Sequence, residues 1–328
     1  MMNNKNIEFN INILLSKESN PSQLRQAAID LKNLLTEMSE MDENKPGVML
    51  TLDTPSGRAT GTYGAAMCTI DYMRTRRFMQ GVVSAVTELL KTHSSVKLLY
   101  AGCGPFALLV LPLTLLFTPA QVQIQCIELN TTSIGCFQKL ISKLNVKAFF
   151  KEVICDDAAE IKLQQADAYD MMITETMMHA LKNEAQVAII INLMNQCRKD
   201  IVLIPHEVQV QFACIAHDSS LLNKVFRSQL PLLHLNKQTA QEFSNWLQHR
   251  NDVLLQKTID LSNDVYHEGD KLSYLTTIHV YGRYSLFINE SGLTVPVAIQ
   301  PLQKINPGQS IQFQYRMGSK PGFVYEFI

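Results

Sequence analysis

The spacing of apolar residues marks the first part of the chain as helical. Apolar positions in residues 20–41 recur at the spacing of an amphipathic helix. Asn20 precedes Pro21 there, and this order is typical of a helix start, because asparagine caps free N–H groups and proline fits the first turn. Prolines and glycines then recur through residues 45–64, which predicts a linker or loop. We therefore interpret residues 1–61 as an N-terminal helical extension with a linker.

Short apolar strands alternate with helices in the second part, residues 62–205. The run VKLLYA reads as a strand, and helical spacing resumes after it. Such alternation needs crossover connections, which favour a mostly parallel sheet covered by helices on both faces. The sequence therefore predicts an α/β fold with a doubly wound, Rossmann-like sheet. The predicted strands are 96–101, 122–128, 146–154, 168–174 and 200–205, and the predicted helices are about 67–90, 132–145 and 184–198.

The pattern changes again after Pro205. Short runs with alternating apolar and polar residues dominate the third part, and turn signals such as Asn289 to Gly292 separate them. This pattern predicts an antiparallel β-barrel or sandwich over residues 206–328. Residues 219–250 have a partly helical pattern and predict an insertion in this β-domain.

Composition and charge exclude several classes of protein. Hydrophobic residues make up 46% of the chain and charged residues 18%, which is enough for a buried core. The net charge is −1, so nothing predicts binding to nucleic acid or to an anionic membrane. The seven cysteines form no CxxC pair, which argues against a zinc site and for a reducing compartment. We therefore expect a cytoplasmic protein without a metal centre.

Candidate ligand-binding residues follow three of the predicted strands. Gly102 and Gly104 end the first strand, where glycine lets the backbone approach a ligand closely. Glu128 ends the second strand, where a carboxylate can accept both hydroxyl groups of a ribose. Asp156 and Asp157 follow the third and are placed to contact an adenine amino group. Together they predict a cofactor of the adenosine type.

The glycine turn favours S-adenosylmethionine over a dinucleotide. A dinucleotide site needs a third glycine, so that a pyrophosphate can lie on the helix N-terminus. Here Leu or Ala fills that position, and Pro105 and Phe106 crowd the turn. S-adenosylmethionine has no phosphate and avoids this conflict. The alternative is a tight turn without a ligand, with Glu128 as a solvated cap.

The stretch ITETMMHALKNEA carries two glutamates, Glu175 and Glu184, nine positions apart. On one continuous helix they would point to opposite sides, because nine residues make about two and a half turns. They converge only if the segment folds back as a loop. In that case the two carboxylates can face one cationic substrate; otherwise they are ordinary surface acids. His179 lies between them and is open to a role as a base or as a pocket wall.

Three segments of the chain resemble the protein arginine methyltransferases, within the class I S-adenosylmethionine-dependent methyltransferases. DYMRT, residues 71–75, is similar to the family segment whose arginine binds the methionyl carboxylate, a role that the resemblance gives to Arg74. ITETMMHALKNEA is similar to the double-glutamate loop that grips a guanidinium, which implies that role for Glu175 and Glu184. The tail, residues 297–328, resembles the closing strands of the family's β-barrel.

The chain departs from this family at three places. Tyr100 stands where an acid usually precedes the glycine turn, and Thr176-Met177-Met178 follow the first glutamate in place of Trp-Met-Gly. No His-Trp pair is found near Ser291 to Thr294, where the family has its T-H-W element. These departures affect the substrate more than the cofactor.

The combined interpretation is an S-adenosylmethionine-dependent methyltransferase. Its predicted acceptor is a guanidino or amine nitrogen on a protein or a small molecule. One alternative is a methyltransferase for oxygen, sulfur or another small-molecule nucleophile, and a second is a catalytically silent binding module. The resemblance also implies a homodimer, for which residues 219–250 are the candidate arm.

Overall fold

The computed structural model describes residues 2–217, 225–300, 305 and 308–328. Helices dominate the first 150 residues and strands dominate the end of the chain. The α-helices are α1 (Met2–Leu15), α2 (Pro21–Met38), α3 (Thr62–Met67), α4 (Tyr72–Leu89), α5 (Leu111–Leu116), α6 (Thr131–Lys143), α7 (Gln186–Met194), α8 (Lys237–Glu242) and α9 (Trp246–His249).

The strands form four sheets among the described residues. A short hairpin of β1 and β2 stands alone, β3 to β6 form one sheet, and the rest form two antiparallel sheets. The strands are β1 (Leu52–Thr54), β2 (Gly57–Ala59), β3 (Val96–Ala101), β4 (Val122–Ile127), β5 (Met171–Thr174), β6 (Val202–Ile204), β7 (Glu207–Ile215), β8 (Phe226–Asn236), β9 (Val253–Asp260), β10 (Lys271–Tyr281), β11 (Tyr284–Leu286), β12 (Val297–Ile299), β13 (Ser310–Arg316) and β14 (Gly322–Phe327).

The central sheet is parallel and has the order β4-β3-β5-β6. Every residue of β5 is buried, and β3 is buried except at Lys97. Strands covered on both faces are expected of a parallel sheet with crossover helices. The predicted Rossmann-like domain is therefore confirmed, and the carboxyl ends of β3, β4 and β5 meet at one edge.

The predicted strand 146–154 is wrong as a continuous element. Only Phe150 and Ile154 form bridges, both isolated, to β4. The side-chain amide of Gln125 donates to the carbonyl of Glu152 at 2.6 Å. Backbone bonds link the segment to this edge at Lys151 and Ile154, and the Gln125 side chain bonds the chain between them. The segment therefore follows the sheet edge without forming a regular strand.

The N-terminal helices pack against the helical side of the α/β domain. Asn20 caps α2, with reciprocal bonds of 3.0 and 2.9 Å between Asn20 and Gln23. Leu31 and Leu35 of α2 are fully buried in a cluster that includes Phe106, just after the glycine turn. The N-terminal helical extension is therefore confirmed, and its apolar face supports the segment that follows the turn.

Two predicted segments before the sheet differ from the structure. The long helix expected from residue 67 begins only at Tyr72, because the side chain of Asp71 accepts the N–H of Arg74 and caps α4. The expected linker 45–64 contains the β1–β2 hairpin, in which Thr54 pairs with Gly57.

Two antiparallel sheets form the β-domain. One has the order β11-β10-β7-β8 with β12 also on β10, and the other has the order β14-β13-β9. Aromatic side chains join them face to face: Phe212 lies 5.3 Å from Phe313 between ring centroids, and Tyr274 lies 5.6 Å from Phe323. The predicted antiparallel β-domain is therefore confirmed. No strand pairing closes the two sheets into a barrel within the described ranges.

The predicted insertion at 219–250 is only partly helical. Residues 218–224 lie outside the described residues. The next segment is strand β8, which pairs with β7 along its length, and the short helices α8 and α9 follow it. The buried residues of β8 are Leu232, Leu233 and Leu235, and its pairing with β7 makes most of this segment a strand and not a helix. No helix of the described part of the chain is long and apolar enough to cross a membrane.

Candidate functional site

A cavity of about 420 Å³ opens at the carboxyl ends of β3, β4 and β5. The turns after these strands line it, together with the β1–β2 hairpin and with Gly292 and Leu293 of the β-domain. The structure brings all the predicted site residues to this cavity, while their roles stay predictions. These residues are Arg74, Gly102, Gly104, Glu128, Asp156, Asp157, Glu175 and Glu184.

The glycine turn has a shape that side chains would disturb. Gly102 and Gly104 adopt φ of +72° and +61°, in the left-handed region that favours glycine. A Cβ atom on Gly102 would lie 2.3 Å from Cγ2 of Thr176, so this backbone must approach the turn after β5 closely. The backbone N–H of Gly104 donates to Oε2 of Glu128 at 2.8 Å. The ends of β3 and β4 are therefore joined at the cavity floor.

Glu128 is buried, and backbone donors hold its carboxylate. Its Oε1 atom accepts the N–H of Asn130 at 2.9 Å, and Oε2 accepts Gly104. Burial raises the pKa of Glu128, although these backbone donors oppose the shift. Each carboxylate oxygen retains acceptor capacity, so the group can still bind hydroxyl donors in the cavity.

The acids after the predicted third strand lie at the outer part of the cavity. Asp156 is exposed and Asp157 is half-buried. Asp157 accepts the N–H of Ala159 at 2.8 Å, and burial raises its pKa. The predicted pair therefore lines the same cavity as Glu128, with Asp157 held more firmly than Asp156.

Arg74 and Glu175 form a buried ion pair between Nη2 and Oε2. Oε1 of Glu175 is buried and has no hydrogen-bond partner in the structure. Burial raises the pKa of Glu175 to about 7, against the opposing charge of Arg74, and Glu184 adds to the rise. A buried carboxylate oxygen without a donor is costly, so this atom is ready to accept one from a ligand.

Gln186 fixes the end of β5 next to Glu175. Its Oε1 atom accepts both the backbone N–H and the hydroxyl of Thr176 at 2.9 Å, and its amide donates to the carbonyl of Thr174 at 3.1 Å. The residues on both sides of Glu175 are therefore held by one buried side chain. Tyr100, at the position where the family has an acid, is also buried and lines this part of the cavity.

Residues 175–184 form a loop that turns back. This is the conformation in which Glu175 and Glu184 can face the same site. Ala180, Leu181 and Asn183 all adopt positive φ, which breaks any continuous helix. Glu175 and Glu184 consequently both line the cavity. The alternative in which one helix carries the two acids on opposite faces does not agree with this geometry.

Among the described residues, three hydrogen bonds join the backbone of this loop to the β-domain. The N–H of Ala180 donates to Oγ1 of Thr276 at 2.9 Å. The hydroxyl of Tyr315 donates to the carbonyl of Leu181, and the N–H of Asn183 donates to the carbonyl of Pro321, both at 2.7 Å. The shape of the loop therefore depends on residues about 90 or more positions away in the chain. His179, in the same loop, lines the cavity.

Residues 52–60, which we call the strap, lie against the second glutamate. The hydroxyl of Thr60 donates to Oε1 of Glu184. The N–H of Arg58 donates to the carbonyl of Asn183 at 2.7 Å. Burial raises the pKa of Glu184, and the bond from Thr60 opposes that rise. Thr60 thus orients one carboxylate of the pair.

Sequence reasoning missed two features of the site. One is the strap, and the other is a pair of hydrogen bonds that ties Asp71 to the β-domain. Oδ2 of Asp71 accepts the hydroxyl of Ser291 at 2.7 Å and the N–H of Gly292 at 2.9 Å. This contact joins the start of α4, the helix that carries Arg74, to residues 291–294. The arginine methyltransferases that the sequence resembles have their T-H-W element at that place. For the strap, Pro55 to Gly57 between two short extended runs was a usable hairpin signal. The contacts of Asp71 left no signal in the local sequence.

Comparisons with known proteins identify the fold. No protein-family model and no curated protein matches this sequence. A Trypanosoma brucei PRMT1 enzyme–prozyme heterotetrameric complex with AdoHcy contains a similar structure, with a TM-score of 0.54, 13% identity and coverage of 81% of this chain and 98% of that chain. Arabidopsis thaliana protein arginine methyltransferase 10, described in a uniquely open conformation, is similar with a TM-score of 0.53, 12% identity and coverage of 77% and 87%. The chain has the protein arginine methyltransferase fold.

Within the arginine methyltransferase fold, this chain carries its acids and glycines at one cavity. At 13% and 12% identity the likeness shows the fold alone, so the chemistry has to be argued from the residues. No group of three or more His, Cys, Asp or Glu side chains is placed to hold a metal ion in the part of the chain that the structure describes. The groups available for chemistry in the cavity include the paired carboxylates, Arg74, His179 and the backbone of the glycine turn.

Proposed function

We propose that this protein transfers a methyl group from S-adenosylmethionine to a nitrogen of a guanidino or amine substrate. The observation that carries the proposal is the convergence of Glu175 and Glu184 on the cavity that the glycine turn and Glu128 also line. The fold supports it, since the similar Trypanosoma structure is a complex with AdoHcy, which is the product left when S-adenosylmethionine has given up its methyl group.

The residues at the strand ends fit S-adenosylmethionine. Gly104 lines the cavity without a side chain, and the nearest atom to an added Cβ there is 3.5 Å away, so the cofactor can lie close to the backbone of the turn. Glu128 would accept the ribose hydroxyls with its remaining acceptor capacity, and Asp156 and Asp157 would accept the adenine amino group. Arg74 would bind the methionyl carboxylate with N–H groups that the pair with Glu175 leaves over, because guanidinium has five donors.

The paired glutamates suit a cationic acceptor. S-adenosylmethionine, when bound, supplies an electrophilic methyl group. A guanidinium keeps its proton, with a pKa above about 12, and its nitrogens are poor nucleophiles. Glu175 offers an unpaired oxygen to one edge of such a cation, and Glu184 can hold another. A carboxylate beside the reacting nitrogen concentrates the charge away from it and fixes its orientation.

Burial makes this pair costly until a cation binds. Burial raises the pKa of both carboxylates, and the charge of Glu184 adds to the rise at Glu175. A bound cation relieves both effects and favours the charged forms. After transfer, the methylated nitrogen must lose a proton, and the charged carboxylate of Glu184 beside it would accept that proton.

Charge-removing substitutions test the proposal. Glu175→Gln and Glu184→Gln keep the size of the side chain and remove the negative charge. We expect each to keep cofactor affinity within a few-fold by calorimetry and to lower methyl transfer by about two orders of magnitude or more, since the lost contact acts on the acceptor and the transition state. The matched control is Glu152→Gln, at an exposed glutamate outside the cavity. Full activity of either cavity variant would contradict the proposed roles.

Self-association belongs to the same proposal. The similar Trypanosoma PRMT1 structure is a heterotetrameric complex, and a homodimer of the present chain stays a prediction. Sedimentation of the purified protein would test it, with a mass of 37.0 kDa expected for a monomer and twice that mass for the dimer.

A further inference from the structure

The strap covers the acceptor side of the cavity. Its Arg58 N–H is bonded to the carbonyl of Asn183 at 2.7 Å, and Thr60 is bonded to the carboxylate of Glu184. Gly57 lies so close that an added Cβ would be 2.8 Å from the backbone nitrogen of Ala185. The strap and residues 175–184, which we call the glutamate loop, therefore touch backbone to backbone, with no gap between them at this point.

The other side of the strap reaches the outer acids of the cavity. Thr54 lies beside the carboxylate of Asp157, and the hydroxyl of Ser56 donates to Oε1 of Glu160 at 3.3 Å. Arg250 binds both oxygens of Glu160, at 2.9 and 2.7 Å. The strap thus spans the cavity from the segment after the predicted third strand to the second glutamate, and contacts hold it at both ends.

The β-domain occupies the remaining edge of the glutamate loop. The N–H of Asn183 is bonded to the carbonyl of Pro321 at 2.7 Å. A Cβ on Gly322 would lie 3.3 Å from Cβ of Lys182. Both backbone groups of Asn183 are consequently used, one by the strap and one by the turn before β14. A polypeptide that binds as an added strand takes its affinity from main-chain hydrogen bonds, and at Asn183 the backbone N–H and carbonyl of this rim are already bonded within the protein.

We propose that the strap restricts the acceptor to a small free cation and excludes arginine side chains within a polypeptide. This inference rests on the proposed methyl transfer and adds the substrate class. The first of the paired carboxylates lies deep, with the side chain of Glu175 only 8% exposed, while Glu184 is half-buried under the strap. A free guanidinium or ammonium compound can enter whole and be enclosed. A polypeptide can follow only if the strap leaves the glutamate loop and breaks the bonds made by Arg58 and Thr60.

The test compares one guanidinium in two settings. Methyl transfer from labelled S-adenosylmethionine is measured to free agmatine and to an acetylated, amidated peptide that contains a single arginine. We expect kcat/KM for agmatine to exceed that for the peptide by about tenfold or more, which corresponds to about 1.4 kcal/mol. Equal or faster methylation of the peptide by the wild-type protein would overturn the inference and leave the proposed function standing.

Strap variants test the cause of that preference. Gly57→Ala forces a Cβ against the backbone of the glutamate loop and should raise the peptide-to-agmatine ratio of kcat/KM by about tenfold. Gly282→Ala is the matched control, because Gly282 also has a positive φ but has no atom within 4 Å of an added Cβ. Arg58→Pro removes the N–H that binds Asn183 and serves as a second strap variant if Gly57→Ala unfolds.

The outcomes separate this inference from the proposed function. An unchanged ratio in both folded strap variants would overturn the role of the strap. If the protein binds S-adenosylmethionine by calorimetry and yet methylates neither acceptor, the proposed function fails and this inference fails with it. Faster transfer to agmatine than to the peptide in the wild-type protein, with this preference reduced in the strap variants, would support both.

Discussion

The titration of Glu175 makes the stability of the folded protein depend on pH. One substitution at this residue can isolate the effect. Burial raises its pKa from 4.5 to about 7. The folded protein therefore holds this proton more tightly than the unfolded chain does. The resulting stabilisation is fully present below the unfolded value of 4.5 and is lost as the pH rises through about 7. Stability should fall across this window in the wild-type protein.

The magnitude follows from the shift in pKa. The rise of the pKa from 4.5 to about 7 is worth about 3.5 kcal/mol at most, since a tenfold change in proton affinity is about 1.4 kcal/mol. Between about pH 5 and pH 8 the loss is about 2.5 kcal/mol. Glu175→Gln cannot titrate at this position. The free energy of unfolding of the variant, relative to the wild type, should therefore rise by about 2.5 kcal/mol from pH 5 to pH 8.

Urea unfolding at the two pH values measures this difference. The single tryptophan, Trp246, is buried and reports unfolding by fluorescence, and circular dichroism provides a second probe. Glu128, Glu184 and Asp157 also have raised pKa values, but both proteins contain them and their contributions cancel in the difference. Glu152→Gln, the same replacement at an exposed glutamate outside the cavity, is the control and is measured at the same two pH values. A difference between Glu175→Gln and wild type that stays constant within about 0.5 kcal/mol would refute the reasoning.

Two further predictions concern the cofactor and the glutamate loop. Arg74→Ala and Glu128→Ala should each weaken S-adenosylmethionine binding tenfold or more, because a hydrogen bond to a charged group contributes about 1.5–3 kcal/mol. Calorimetry measures the affinity. Unchanged affinity in both folded variants would remove the cofactor assignment. Tyr315→Phe leaves the carbonyl of Leu181 without its donor at 2.7 Å and should cost about 1–3 kcal/mol of stability while slowing methyl transfer. Tyr325→Phe, which loses a similar bond to a carbonyl at 2.8 Å outside the glutamate loop, should keep full activity, and equal loss of activity in both would contradict the anchoring role.

The arrangement of the sheet was accessible from the sequence because it depends on local patterns. Runs of apolar residues predict β3 to β6, and the glycines after VKLLYA predict the sharp turn at the carboxyl end of β3. Strand ends of a parallel sheet lie at one edge, so the sequence also predicted that Gly102, Glu128 and Glu175 would come together. The irregular segment 146–154 was not predicted, because the bond from Gln125 to its backbone is a tertiary contact.

The sequence by itself determined the helical extension, the parallel sheet and the residue types at its edge, since helix and strand periodicities and caps act over a few neighbouring residues. Only the tertiary structure decided that Glu175 and Glu184 face one cavity. The spacing of nine allows either a helix or a loop, and the three bonds from Thr276, Tyr315 and Pro321 select the loop. These partners lie far away in the chain, so no local pattern could contain their effect.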